Sequence, residues 1–155
     1  MDWTGVVAVA LGGAIGVGST LATDRVRWRR DSVAQDRETL RSVYVQYLEA
    51  LAQARDVISH ASREVHRSAE ERAQMAWTVT RDHGVYARQY ALELIAPIEV
   101  VERTKGVADR LVTYRDAVVQ GETWSDAGCT EARRALREAR HALMDAMRTT
   151  LARPH

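Results

Sequence analysis

The sequence predicts an all-α protein: one N-terminal transmembrane helix, followed by a long-helix antiparallel bundle or coiled coil of three helices, or four if the first long element breaks. Three observations predict it. Residues 3–22, WTGVVAVALGGAIGVGSTLA, carry no charge. From residue 33 onward, apolar positions recur every three or four residues. Only two prolines occur, Pro97 and Pro154, and no phenylalanine, so both turn signals and strand formers are scarce. The expected division is an anchor over 1–24, a basic juxtamembrane segment over 25–32, a cytoplasmic helical bundle over 33–152 and a tail over 153–155.

Twenty helical residues at about 1.5 Å each span about 30 Å, the thickness of a bilayer core. Trp3 stands at one end, and Trp28 sits among Arg25, Arg27, Arg29 and Arg30 at the other. Tryptophan prefers the headgroup level and arginine clusters stay on the cytoplasmic side. The predicted place is the inner (plasma) membrane, single-pass, with the N-terminus outside and the bundle in the cytoplasm. Insertion is favoured by a modest margin, because the glycines, serine and threonines offset part of the gain from Val6, Val7, Val9, Leu11, Ile15, Val17 and Leu21.

Two other readings of this segment are weaker. A cleaved signal peptide could use Thr20-Leu21-Ala22, but the start Met1-Asp2-Trp3 has no cation and the basic cluster after the segment opposes export. Gly13 to Thr20 resembles a phosphate loop, but Ser19 stands where the phosphate-binding lysine belongs and no strands come after it. Gly16 and Gly18 do not complete a dinucleotide fingerprint either.

Gly5, Ala8, Gly12, Gly16 and Ser19 share one face of the anchor, with Gly12 and Gly16 forming G-x-x-x-G. Small residues let helix backbones approach closely in lipid. The expected partners are therefore the bilayer and a second copy or another protein. The 22 basic and 21 acidic residues are interspersed, for a net charge of +1, so nucleic acid is not expected. Cys129 is the only cysteine, which excludes an internal disulfide framework.

In the bundle, no glycine or proline lies between Gly18 and Gly84. That permits one very long helix, or two joined without a loose linker. Asp31-Ser32-Val33-Ala34-Gln35 offers a capping-box restart, because a serine side chain can satisfy the amide three residues on, and Ser68-Ala69-Glu70-Glu71 offers a second possible break. Val33, Leu40, Tyr44, Tyr47, Leu51, Ala54, Ile58, Ala61 and Val65 obey a seven-residue repeat, widened by Val43 and Leu48. A stripe that wide faces more than one neighbour. Gly84 ends this element. A second helix reads from Val85 to Gln120, with a kink or short break at Pro97. Its expected buried side is Ala91, Leu94, Ile98, Val101, Ala108, Leu111, Val112 and Val119. After Gly121 and a loop holding Trp124, a third helix is expected from about Thr130 to Ala152. Ala132, Leu136, Ala139, Leu143, Met147 and Leu151 should face inward.

Few residues invite a chemical role, and no catalytic, cofactor or metal site is expected. Glu138 and His141 make one E-x-x-H, whereas di-iron bundles need two such motifs and two further glutamates. His60 and Glu64 are spaced to pair on a helix surface. Cys129 reads as a loop residue near a helix start. Arg133, Arg134, Arg137 and Arg140 make a locally basic stripe, diluted by Glu131 and Glu138, whose default is a solvated face. Trp77 and Trp124 read as packing residues or partner anchors.

The opening GVVAVALGGAIGVGSTLATDRVRWRRD, with the heptad-like helix after it, resembles the small single-pass, N-terminally anchored helical membrane proteins of GC-rich bacteria. Lys105 is the one lysine among the 22 basic residues, in keeping with GC-rich coding. The resemblance covers about the first third of the chain and brings no assigned activity. The expected function is that of a non-enzymatic, membrane-tethered interaction or scaffold protein. The alternatives are a sensor holding a small ligand in its bundle and a membrane-perturbing protein of the lysis or toxin type.

Overall fold

The computed structural model describes residues 34–153, all of whose regular elements are helices. The anchor, its small-residue stripe (Gly5, Ala8, Gly12, Gly16, Ser19), the tryptophans and arginines expected at the interface (Trp3, Arg25, Arg27, Trp28, Arg29, Arg30) and Val33 lie outside the described residues. Among the described residues, no helix is long and apolar enough to cross a membrane. The compact bundle unit begins at Thr39.

Helix α1 occupies residues 34–63. Tyr44, Tyr47, Leu51, Ala54, Ile58 and Ala61 are buried along it, as the seven-residue repeat requires. Val43 and Leu48 pack partly buried against that core. The repeat fails at its last member: Val65 is 58% exposed, because the helix has already stopped. No glycine or proline makes the stop; the cap of the next helix does. Ser68 Oγ accepts from the amide of Glu71 (3.2 Å), and the Glu71 carboxylate accepts from the amide of Ser68 (2.8 Å). This reciprocal capping box opens α2, Ala69–Trp77.

The chain then returns in short pieces: α2, α3 (Val79–Asp82) and α4 (Val85–Glu93). Gly84 separates the last two with φ of +62°, a left-handed conformation that glycine adopts without a Cβ clash. Pro97 opens α5, Ile98–Val119, and Asp126 precedes α6, Ala127–Ala152. The expected break at Pro97 is present. The third long helix starts three residues earlier than the sequence suggests.

Side-chain bonds give the directions. The Tyr47 hydroxyl donates to the Thr104 carbonyl near the start of α5 (3.3 Å), while the Tyr114 hydroxyl near its end donates to Ser59 Oγ (3.2 Å). Helices α1 and α5 therefore run parallel. Arg72 on α2 donates to the Gly121 carbonyl beyond the end of α5 (2.7 Å), and Arg88 on α4 bonds Gln46 of α1. The short helices thus run antiparallel to α1. Trp124 donates its amide to the Ser62 carbonyl (2.9 Å), and Arg153 meets Glu99 at 3.9 Å, so α6 is antiparallel to both α1 and α5. The result is an up-down-up-down four-helix bundle whose second member is broken into α2, α3 and α4.

The core is filled from all four members by Tyr47, Leu51, Ile58, Val79, Leu92, Val107, Leu111, Tyr114, Val118 and Leu143. On the α4–α5 side Val101, Ala108 and Leu111 are buried as expected, and the expected phase fails beside the break. Leu92, Val100, Thr104, Val107, Tyr114 and Val118 are buried, whereas Ala91, Leu94 and Ile98 point to solvent. The expected phase assumes one continuous periodicity across Pro97, but the residues between Glu93 and Ile98 leave the helix and reset its rotation. On α6 the inward set holds: Ala132, Leu136, Leu143 and Met147 are buried, with Ala139 and Leu151 packed at the edge.

Candidate functional site

A depression lies between the second half of α1 and the first half of α6, with a volume of about 350 Å³. On α1, Arg55, Ser59 and Arg63 are spaced by four, so they form one row on the helix face toward α6. On α6, Arg133, Arg137 and Arg140 stand at spacings of four and three. Leu136, buried, lies between them and supplies apolar lining. Trp124, in the α5–α6 loop, closes one end.

Trp124 is clamped. The Cζ atoms of Arg63 and Arg133 stand over its ring at 3.7 and 3.4 Å from the centroid. Two guanidinium groups that close cannot share one face, so each takes its own. Each contact is worth about 0.5–1 kcal/mol at a partly exposed site. Arg133 also donates to the Trp124 carbonyl at 3.2 Å, and the Trp124 amide is held by Ser62. Ser62 is fully buried, and its hydroxyl donates to the Ser59 carbonyl. The Tyr114 hydroxyl lies 3.2 and 3.5 Å from the Ser59 and Ser62 hydroxyls. A small buried polar network thus fixes the α1 wall and the loop together.

The charges of the cleft are lopsided. Five arginines line it against one carboxylate, Asp56, which is paired with Arg55 at 2.5 Å. Among the described residues, no carboxylate lies within ion-pair distance of Arg63, Arg133, Arg137 or Arg140. Arg134, the remaining member of the stripe read from the sequence, pairs instead with Glu131 at 2.6 Å. The stripe therefore divides: Arg134 belongs to a solvated, charge-matched face, and the other three line the cleft. Sequence reasoning missed Arg55 and Arg63. The i, i+4, i+8 row on α1 is visible in the sequence, but only the packing of α1 on α6 shows that it meets the α6 stripe.

The other candidates separate. Glu138 and His141 are both exposed on α6, and among the described residues no three metal-ligating side chains come together. His60 is the exception, since it lines the cleft, and it lies 3.7 Å from Glu64, the pair their spacing predicts. His66 is exposed in the turn after α1. Cys129 is not a loop residue: it is the third residue of α6 and fully buried. Burial pushes its thiol above the ordinary range. The Glu122 carboxylate reaches back to the Cys129 amide, and a Cβ on Gly128 would collide with that carboxylate. Trp77 is 58% exposed, with Arg115 at 5.2 Å from its ring. The phosphate-loop-like stretch 13–20 lies outside the described residues.

A second feature is apolar. At the α4–α5 corner, Tyr90 is 63% exposed, Leu94 84% and Ile98 71%, flanked by Tyr86 and Ile95. Tyr86 and Tyr90 share one side of α4, and Leu94, the residue that caps its end, continues the spacing of four. No family model, no curated protein and no solved structure matches this chain.

Proposed function

We propose that the protein is a membrane-tethered interaction or scaffold protein that self-associates, acting through binding rather than through a reaction. The observation that carries this reading is the exposed apolar strip of Tyr86, Tyr90, Leu94, Ile95 and Ile98. Single exposed apolar residues are ordinary on a protein surface, but a contiguous patch of large ones marks an interaction site. Its position selects the partner. Ile98 lies six residues before Thr104, whose carbonyl meets Tyr47, so the strip is level with about residues 41–48, in the first half of α1. In sequence, that half of α1 is the side of the bundle that leads back to residues 3–22.

Two copies tethered by parallel N-terminal helices would carry their strips at the same height. A two-fold contact of each strip with its counterpart then needs no further element. The G-x-x-x-G stripe of Gly12 and Gly16 supports the same pairing inside the bilayer. Two copies give one parallel dimer with its bundles side by side.

The test is the mass of the full-length protein in neutral detergent, wild type against Leu94→Glu/Ile98→Glu. The expected result is a wild-type dimer and a shift toward monomer in the double variant. A strictly monomeric wild type, or a dimer unchanged by the two glutamates, overturns the reading.

A further inference from the structure

The arginine cleft points to a second function, independent of the tether and of the apolar strip. We infer that the cleft between α1 and α6 binds a small soluble polyanion bearing two or more phosphoryl groups. The whole chain has a net charge of +1, yet this one depression gathers five arginines against one carboxylate. That concentration is not an average property of the surface. Elsewhere on the helices, Arg134, Arg148 and Arg103 each have a carboxylate at 2.6–3.6 Å. In the cleft, four guanidinium groups lack one among the described residues.

The arrangement is also held in place. Arg63 and Arg133 are fixed against Trp124, so their two charges are no more than about 7 Å apart. Like charges kept at that distance repel, and like-charged pairs at i, i+4, such as Arg133 and Arg137, oppose helix formation. An anion in the cleft relieves both. Guanidinium forks match phosphoryl oxygens bidentately, and their charge does not titrate in the accessible pH range. Arg133, Arg137 and Arg140 spread over seven residues of α6, about 10 Å. One phosphoryl group cannot reach all of them, whereas a linked pair or triplet can. A volume of about 350 Å³ suits a ligand of that size.

Two features narrow the ligand further. Both faces of the Trp124 ring are taken by guanidinium groups, which leaves none for a nucleobase to stack on. Specificity therefore falls on the phosphoryl groups. The cleft also stands away from the bundle end where α1 begins. Arg55 and Arg63 are 16 and 24 residues beyond Thr39, about 24 and 36 Å along the helix. A soluble phosphate compound reaches such a cleft from bulk solvent.

The test is calorimetric titration of the full-length protein in neutral detergent with inorganic tripolyphosphate at physiological ionic strength. Arg137→Gln/Arg140→Gln should weaken binding at least tenfold. Neither side chain has a hydrogen bond or ion pair among the described residues, so helix content and melting temperature should stay unchanged. Arg103→Gln/Arg134→Gln removes the same charge from paired surface sites and should change affinity less than twofold. Absence of tripolyphosphate binding, or an equal loss in both double variants, overturns the proposal. So does flotation with phosphatidylglycerol vesicles that depends on Arg137 and Arg140 while tripolyphosphate fails to bind, because the ligand would then be a lipid headgroup.

Discussion

At the scale of single residues, the positions that decide the fold are those where one side chain, or its absence, has no substitute. Gly84 adopts φ of +62° between α3 and α4, and a Cβ there would meet nothing within 4 Å. The cost of Gly84→Ala is therefore backbone strain alone, about 1–2 kcal/mol, to be read as a lower urea midpoint with unchanged slope. Glu71 and Asp126 do a related job at the starts of α2 and α6. Hydrogen bonds from Ser68 hold the Glu71 carboxyl below its ordinary range, and bonds from Thr123 do the same for Asp126. A depressed folded-state pKa stabilises the fold fully above the ordinary carboxylate range, and that contribution is lost as pH falls through the lowered values. The urea midpoint should therefore decline below pH about 4, and Glu71→Gln/Asp126→Asn should flatten the decline. Gly84 and the break at Ser68–Glu71 were legible in the sequence, because both signals are local. The clamp on Trp124 was not: its two arginines are 61 and 9 residues away, and nothing local in sequence links them.

At the scale of elements, the long helices were readable and the joints between them less so. The heptad of α1 and the inward face of α6 each continue without interruption, so a single rotation describes each helix. The segment from Val85 to Gln120 contains Pro97, and one rotation cannot describe both sides of it. Leu94 and Ile98, apolar and well spaced, looked like core for that reason, whereas the core is reached by Leu92, Val100 and Val107. Their exposure gives the corner its proposed role. Because neither side chain is buried, Leu94→Glu/Ile98→Glu should leave the melting temperature within a degree or two while dissociating the dimer, a separation that a core mutation could not produce. The arginine cleft is likewise a property of two elements together. Each row of arginines reads as a solvated helix face by itself, and the surplus of charge arises only where α1 and α6 pack.

At the scale of the whole molecule, a broken second member completes an up-down-up-down bundle, which places the apolar strip and the arginine cleft at different heights. The strip is level with about residues 41–48 of α1, and the cleft's arginines on that helix, Arg55 and Arg63, lie further along it. This separation lets the proposed self-association and anion binding be tested independently, by Leu94→Glu/Ile98→Glu and by Arg137→Gln/Arg140→Gln. The central proposal is that copies tethered to one membrane meet through the strip. Its most direct test is oxidative crosslinking of Leu94→Cys in membranes of cells expressing the full chain, with Cys129→Ala to remove the buried native thiol. A covalent dimer that stays in the alkaline-carbonate pellet is the expected result. A chain that leaves the pellet, or that stays in it without crosslinking at position 94, would contradict the proposal.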